Sequence, residues 1–181
     1  MKIVLAGAGK LATNLGQALH AAGHDIVQVY SRTMESAAAL SAIVGGSPVT
    51  DTGAITDDAD VYIMSVTDAA MPVLVPVICK GREQKVFVHT AGSMPMDVFQ
   101  GMALHYGVLY PMQSFSKERK VNFREVACFT EANDEYAAGI IGRLACDVSD
   151  NVKPLSSEAR RHLHLAAVFA CNFVNHCYAI S

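Results

Sequence analysis

Residues 1–33 read MKIVLAGAGKLATNLGQALHAAGHDIVQVYSRT, and this stretch decides the fold. Lys2–Ala6 is a short apolar run, the pattern of a strand buried on both faces of a parallel sheet. Leu11, Leu15, Ala18, Leu19 and Ala22 then recur at helical spacing over Leu11–Ala22, and Gly23 ends that helix as a C-cap. Ile26–Tyr30 follows as a second strand. Between the first strand and the helix lies the loop Gly7-Ala8-Gly9-Lys10-Leu11-Ala12. In a strand–loop–helix setting each position has a physical task. Gly7 permits the tight turn, Gly9 lets a pyrophosphate approach the backbone, and the small Ala12 lets helix and strand pack closely. The phosphates then lie on a helix N-terminus, where free N–H groups and the dipole favour an anion. Gly7, Gly9, Lys10, Leu11 and Ala12 are therefore candidate contacts to a dinucleotide.

Which dinucleotide turns on the end of the second strand. A unit that binds NAD usually places Asp or Glu there, about 20 residues on, to accept the ribose 2′-OH. This chain has Tyr30-Ser31-Arg32-Thr33 instead. Two hydroxyls and a guanidinium suit a 2′-phosphate, which Arg can grip in a bidentate way and an acid would repel. Ser31, Arg32 and Thr33 thus point to NADP(H).

Farther along, strands and helices keep alternating. Met34–Ile43 is alanine-rich and helical, Pro48–Thr50 a weak strand, and Val61–Val66 a strong central one. Asp68 is expected to N-cap a helix running toward Cys79, with Pro72 in its first turn. Val86–His89 is a strand and residues 97–105 read as helix. Gly107–Met112 and Val126–Thr130 read as strands, Glu135–Ala145 as a helix, and Ser157–Ser181 as one long helix. Right-handed βαβ crossovers make this an α/β fold with a doubly wound, mostly parallel sheet. Residues 1–154 form the nucleotide-binding domain, and 155–181 begin a C-terminal helical domain. That last helix stops on FVNHCYAIS without a cap, so further helices or a partner subunit are expected to cover it.

Composition narrows the classes. With 51% hydrophobic and 17% charged residues among 181, the chain can bury a large core and is not disordered. A net charge of −3 with no basic run argues against nucleic acid, the short SKERK stretch at 116–120 included. The N-terminus reads as a strand rather than a signal peptide, and nothing approaches the about 20 apolar residues of a membrane span. Cys79, Cys128, Cys146, Cys171 and Cys177 contain no Cys-x-x-Cys and read as buried thiols in a reducing cytoplasm. His162 and His164 fall on opposite helix faces, so no zinc site is expected.

The segments KIVLAGAGKLATNLGQAL, VYSRT and VYIMSVTDAAM resemble the NADP-binding halves of three groups. These are pyrroline-5-carboxylate reductases, deazaflavin-dependent NADP reductases and the β-hydroxyacid dehydrogenase superfamily. VFVHTAGSMPMDVF, GVLYPMQSFS and RRHLHLAAVFACNFVNH are more particular. They resemble a bacterial family of two-domain Rossmann-type oxidoreductases of unknown substrate. That resemblance implies a Rossmann fold, an NADP cofactor and a homodimer through the C-terminal helix.

Ligands of such sheets bind at the carboxyl ends of the strands. Ser65, Val66 and Thr67 should pass under the nicotinamide ribose, and His89, Thr90 and Gly92 should face the nicotinamide. Thr90 and Ser93 can equally satisfy backbone groups in a turn, His89 is a candidate catalytic residue or equally a bonded strand-end residue, and Tyr110 can belong to the core. On the last helix Arg161, His164, Val168, Asn172 and Asn175 share one face. The resemblance implies that His164 donates a proton to a carbonyl or imine while Asn172 orients the substrate. Imidazole suits that task near neutral pH. No lysine lies on this helix, a departure from the Lys-x-x-x-Asn pair of hydroxyacid dehydrogenases. The reading is an NADP-dependent oxidoreductase acting on a small carbonyl or imine compound. Its alternative is a noncatalytic NADP-binding or redox-sensing protein. A lesser one is a prephenate-dehydrogenase-like enzyme, since HTAGS followed by YPMQSF resembles that group, which usually has His where Tyr110 stands.

Overall fold

A computed structural model describes residues 1–116 and 121–173, with side chains as far as Cys171. Its first half runs β1 (Lys2–Ala6), α1 (Lys10–Ala21), β2 (Asp25–Tyr30), α2 (Met34–Val44) and β3 (Ser47–Val49). β4 (Val61–Met64), α3 (Met71–Cys79), β5 (Val86–His89) and β6 (His105–Pro111) follow. β7 (Cys128–Ala132), α4 (Glu135–Val148), β8 (Val152–Pro154) and α5 (Ser157–Ala167) complete it, and α5 continues into a π-helical segment, Val168–Phe173.

The eight strands form one sheet in the order β3-β2-β1-β4-β5-β6-β7-β8. All pairs from β3 to β6 are parallel, β7 is antiparallel to β6, and β8 is parallel to β7. Strand order reverses between β1 and β4, which opens a crevice at their carboxyl ends.

Both faces of the sheet are covered, and the strand residues divide between them. Ile3, Leu5, Val61, Ile63, Val86 and Val88 pack on one face against α1, α2 and α4. Val4, Ala6, Tyr62, Met64 and Phe87 pack on the other, against Met71, Val75 and Ile78 of α3. Unbroken apolar runs result because neither face meets water. On the second face the rings of Tyr62, Phe87, Phe99 and Tyr106 continue one another at centroid spacings of 5.0, 6.0 and 6.0 Å.

Several elements differ from expectation. Asp68 does not cap α3: Thr67–Ala70 close a turn through the Ala70 and Met71 amides on the Thr67 carbonyl, so the helix starts at Met71. Only a 3-10 turn over Met96–Phe99 represents the helix expected at 97–105, because Gly101 at φ +75° turns the chain away and β6 starts at His105. β8 has three residues and no sequence signal of its own. The last helix is α-helical only to Ala167, and the part of the expected helix beyond Phe173 lies outside the described residues. Cys79 and Cys128 are buried thiols, pushed up to about 12 and about 11 by burial, but Cys146 and Cys171 are exposed. Cys177 lies outside the described residues. Among the described residues no helix is long and apolar enough to cross a membrane, and no cluster could hold a metal ion.

Candidate active site

The glycine loop is built as its spacing demands. Gly7 sits at φ +121°, and a Cβ there would lie 2.1 Å from the Ser65 carbonyl oxygen, so β1 and β4 can meet only over a glycine. Its amide donates to the Tyr30 carbonyl at 2.8 Å, which ties the loop to the end of β2. Gly9 is the opposite case. A Cβ built on it meets nothing within 4 Å, so the backbone borders open space. Gly9 is also the N-cap of α1, with no side-chain cap and no acid in the first turn. An uncapped, unneutralised helix end beside a cleft can receive an anion. Ala12 is fully buried against the sheet, which lets α1 come close.

Two contiguous clefts run along the carboxyl edge. The first, of about 250 Å³, is bounded by Gly7–Gly9, Ser31, Arg32 and Ser36, with Ser65–Thr67 as its other wall. Thr33 is not in that wall. It N-caps α2, accepting from the Ser36 amide at 3.4 Å and donating to the Ser36 hydroxyl at 2.9 Å. The second cleft, of about 390 Å³, shares Gly9 and Ser65–Thr67 and adds Lys10, Leu11, Asp68, Thr90, Gly92 and Ser93. Tyr110, Gln113 and His164 also line it. A larger hollow of about 610 Å³ lies between α1 and the end of α4 and contains none of the glycine-loop residues. The residues along the two clefts fit a dinucleotide: an anion site at Gly9, and Arg32 with two serines at the end of β2.

In the wall of the second cleft the structure joins residues distant in sequence. The Tyr110 hydroxyl lies 2.9 Å from His164 Nδ1, and the two rings meet edge to face. Burial raises the Tyr110 pKa, with Arg160 acting in the opposite direction, so the phenol stays protonated. Gly92 makes the approach possible, since a Cβ there would fall 2.5 Å from His164 Nδ1. The walls are pinned as well: Thr90 donates to the Ser65 hydroxyl at 3.1 Å, and the Ser93 hydroxyl donates to Asp68. The sequence offered Tyr110 as a possible core residue and did not pair it with His164.

His89 stands elsewhere. It is fully buried, tilted against Phe99, with Nδ1 accepting from the Ala91 amide at 3.2 Å and Nε2 3.3 Å from the Pro95 carbonyl. Burial pushes its pKa down to about 4, so it is neutral. Its contacts shape the Thr90–Ser93 turn and do not reach either cleft. Asn172 belongs to the π-helical segment, and its side chain lies outside the described residues, as does Asn175.

A buried ion pair that the sequence did not reveal sets the start of α5. Arg160 is 1% exposed and bonds Glu131 of β7 at 2.5 Å, the Met94 carbonyl at 2.6 Å and the Ser157 hydroxyl at 3.1 Å. Ser157 donates to Glu131 through its amide and hydroxyl, and the Met96 amide donates to Ser157. Burial raises the Glu131 pKa, but the bonds from Ser157 and Arg160 outweigh it and hold the carboxyl below its ordinary value. His164 follows one helical turn after Arg160.

Comparison with known proteins identifies the fold. The Rossmann-like domain model matches residues 1–111. The chain belongs to the Rossmann-like domain family. A second model, a domain of unknown function designated DUF2520, matches residues 126–181. Among solved structures, a Bacteroides fragilis protein, BF3122, provisionally named an NADP oxidoreductase, is 49% identical. The match covers 99% of this chain and 70% of that one, with a TM-score of 0.95. Two distant structures share the Rossmann-like fold alone. An imine reductase from Myxococcus stipitatus in complex with NADP+ is 12% identical over 99% of this chain and 63% of its own, with a TM-score of 0.75. A prephenate dehydrogenase from A. aeolicus, with NAD+ and hydroxyphenyl propionate, is 14% identical over 100% and 70%, with a TM-score of 0.78. No curated protein matches the chain.

Proposed function

We propose that this chain is an NADP(H)-dependent oxidoreductase acting on the carbonyl or imine carbon of a small substrate. The observation that carries this reading is the 2.9 Å contact between Tyr110 and His164 in the wall of a cleft that also borders the glycine loop. A nucleotide-binding module alone has no need of a paired phenol and imidazole there. Because the distant relatives hold NAD+ in one case and NADP+ in another, the fold does not choose the cofactor. Arg32, Ser31 and Ser36 choose it, and the name given to the Bacteroides relative agrees.

Bound NADPH supplies the hydride. The chain's residues do the rest. The α1 N-terminus and Gly9 hold the pyrophosphate, and Arg32 grips the 2′-phosphate. Thr90 and Ser65, bonded to each other in the cleft wall, would border the ribose. In its protonated form His164 donates its Nδ1–H to the Tyr110 oxygen, which fixes the ring. It then gives its Nε2 proton to the developing alkoxide or amine and returns to the neutral imidazole, which solvent reprotonates, while Asn172 is assigned to orient the substrate.

Calorimetric titration of NADPH and NADH, repeated with Arg32→Ala, tests the cofactor. Loss of one charge-assisted contact should cost roughly 1.5–3 kcal/mol against NADPH, about 10- to 150-fold in Kd, and little against NADH. NADPH oxidation with a panel of ketones, aldehydes and cyclic imines tests the reaction. His164→Ala and Tyr110→Phe should lose turnover while keeping NADPH affinity. Binding without turnover on any of the panel would instead favour a redox sensor, and no binding of either nucleotide would overturn the reading.

A further inference from the structure

Beyond the Tyr110–His164 pair lies a third hollow of about 380 Å³, large enough for a small organic molecule. It shares Tyr110, Gln113 and His164 with the nucleotide-side cleft, so the pair stands in the wall between the two. Its own lining is Met112, Ser114 and Phe115 from the segment after β6, and Ala167, Val168 and Cys171 from α5 and its continuation. Among the described residues that line it there is no Lys, Arg, Asp or Glu.

Among the described residues, the charges nearby do not favour an anion either. Asp68, in the adjoining cleft, presents a carboxylate that accepts from Ser93. Lys10 stands at the phosphate end of that cleft, beside Gly9. Arg160 is committed to Glu131 and the Met94 carbonyl, and Arg161 lines a separate hollow with Ser93 and Glu158. A carboxylate placed among Met112, Phe115 and Val168 would lose hydration and meet no cationic side chain among the described lining residues, which is costly. An uncharged apolar body would gain by burial there.

We infer that the hollow lined by Met112, Phe115, Ala167, Val168 and Cys171 is the substrate's side of the site. It takes an uncharged carbonyl or imine compound with an apolar body, and it rejects carboxylate-bearing analogues. This rests on the oxidoreductase reading and adds the substrate class to it. Met112, Phe115 and Val168 then set specificity, and Gln113 offers the hydrogen bond that fixes the polar end.

The test uses the Cys171 thiol as a reporter, because it lines the hollow and is exposed. The intact chain, with NADP+ present, is alkylated with iodoacetamide, and the labelled peptides are resolved by mass spectrometry. Cyclohexanone and 4-oxocyclohexanecarboxylate, the same ring with and without a charge, serve as probes. Cyclohexanone should slow alkylation of Cys171 several-fold and leave Cys146 unchanged, while the carboxylate gives no protection. In Met112→Arg the order should reverse. Protection by the carboxylate at least equal to that by the ketone, or protection by neither, overturns the inference. The oxidoreductase reading is judged separately, by NADPH titration, so the two failures are distinguishable.

Discussion

Gly92 shows how one missing Cβ can hold a site together. Its backbone is not in the left-handed region, so Ala at this position meets no strain in the chain itself. The added methyl would lie 2.5 Å from His164 Nδ1 and must push the imidazole off the Tyr110 hydroxyl. Gly92→Ala should therefore lower turnover by about 100-fold, the scale of a 1 Å misplacement, while the NADPH Kd changes little. Steady-state kinetics beside calorimetry checks this, and an unchanged kcat would sever the imidazole from the chemistry. His89 makes a different prediction. Its pKa of about 4 in the fold lies below the ordinary 6.5, because burial disfavours the charged ring. Between those values the unfolded chain binds a proton that the folded one refuses. Stability should thus fall as pH drops from about 6.5 to about 4, by at most about 3 kcal/mol. His24 is lowered as well, so the slope assigned to His89 is the difference between the wild type and His89→Gln. Parallel melting curves for the two proteins across that range would dismiss the idea. The sequence showed both residues near the carboxyl edge, but not that one clears space for a ring 54 residues beyond its own tyrosine partner.

At the scale of elements, α5 is held by charge rather than by an apolar stripe. Arg160 is its one buried residue, and Glu131 reaches it from β7. Removing one partner leaves the other buried and unpaired, so Glu131→Gln should cost about 3–5 kcal/mol. Replacing both, as in Glu131→Leu with Arg160→Met, should recover most of that loss. Urea unfolding of Glu131→Leu, Arg160→Met and the double checks it, and strictly additive losses would show the pair to be uncoupled. No periodicity announces this latch, because Arg160 stands beside Arg161 in a sequence that reads as a solvated face. The elements that were legible share one property, burial on both sides: β1, β4 and β5 are unbroken apolar runs. Those that were not are settled by distant contacts. β8 exists through its ladder to β7, and the 97–105 stretch is apolar because Phe99 sits among Phe87 and Tyr106, not because it is a long helix.

For the whole molecule, the carboxyl edge of the sheet is where the separate signals converge. The loop after β1, the end of β2, the turn after β4, the turn after β5 and the face of α5 all border the same run of clefts. The half of the sheet from β3 to β5 was readable because each βαβ crossover repeats one pattern. The other half was harder, since β7 runs against β6 and sequence alone does not give strand direction. This geometry makes a prediction about stability. A ligand that binds only the folded state adds about 2.7 kcal/mol at 100 times its Kd, roughly 100-fold in the population of the open chain. Hydrogen exchange followed by mass spectrometry should show two tiers with NADPH. Peptides from β1, β4 and β5, which exchange through global opening, should slow by about that factor. The Gly9–Ala12 amides and the Ser31–Ser36 turn should slow as well, through direct contact. The hollow between α1 and the end of α4, which borders Asn122 and Asp147, should be unaffected beyond the global term. NADH at the same concentration should protect less, because Arg32 has no 2′-phosphate to hold. Protection centred on the α1–α4 hollow would move the nucleotide to the opposite side of the molecule and sink the assignment of the glycine loop.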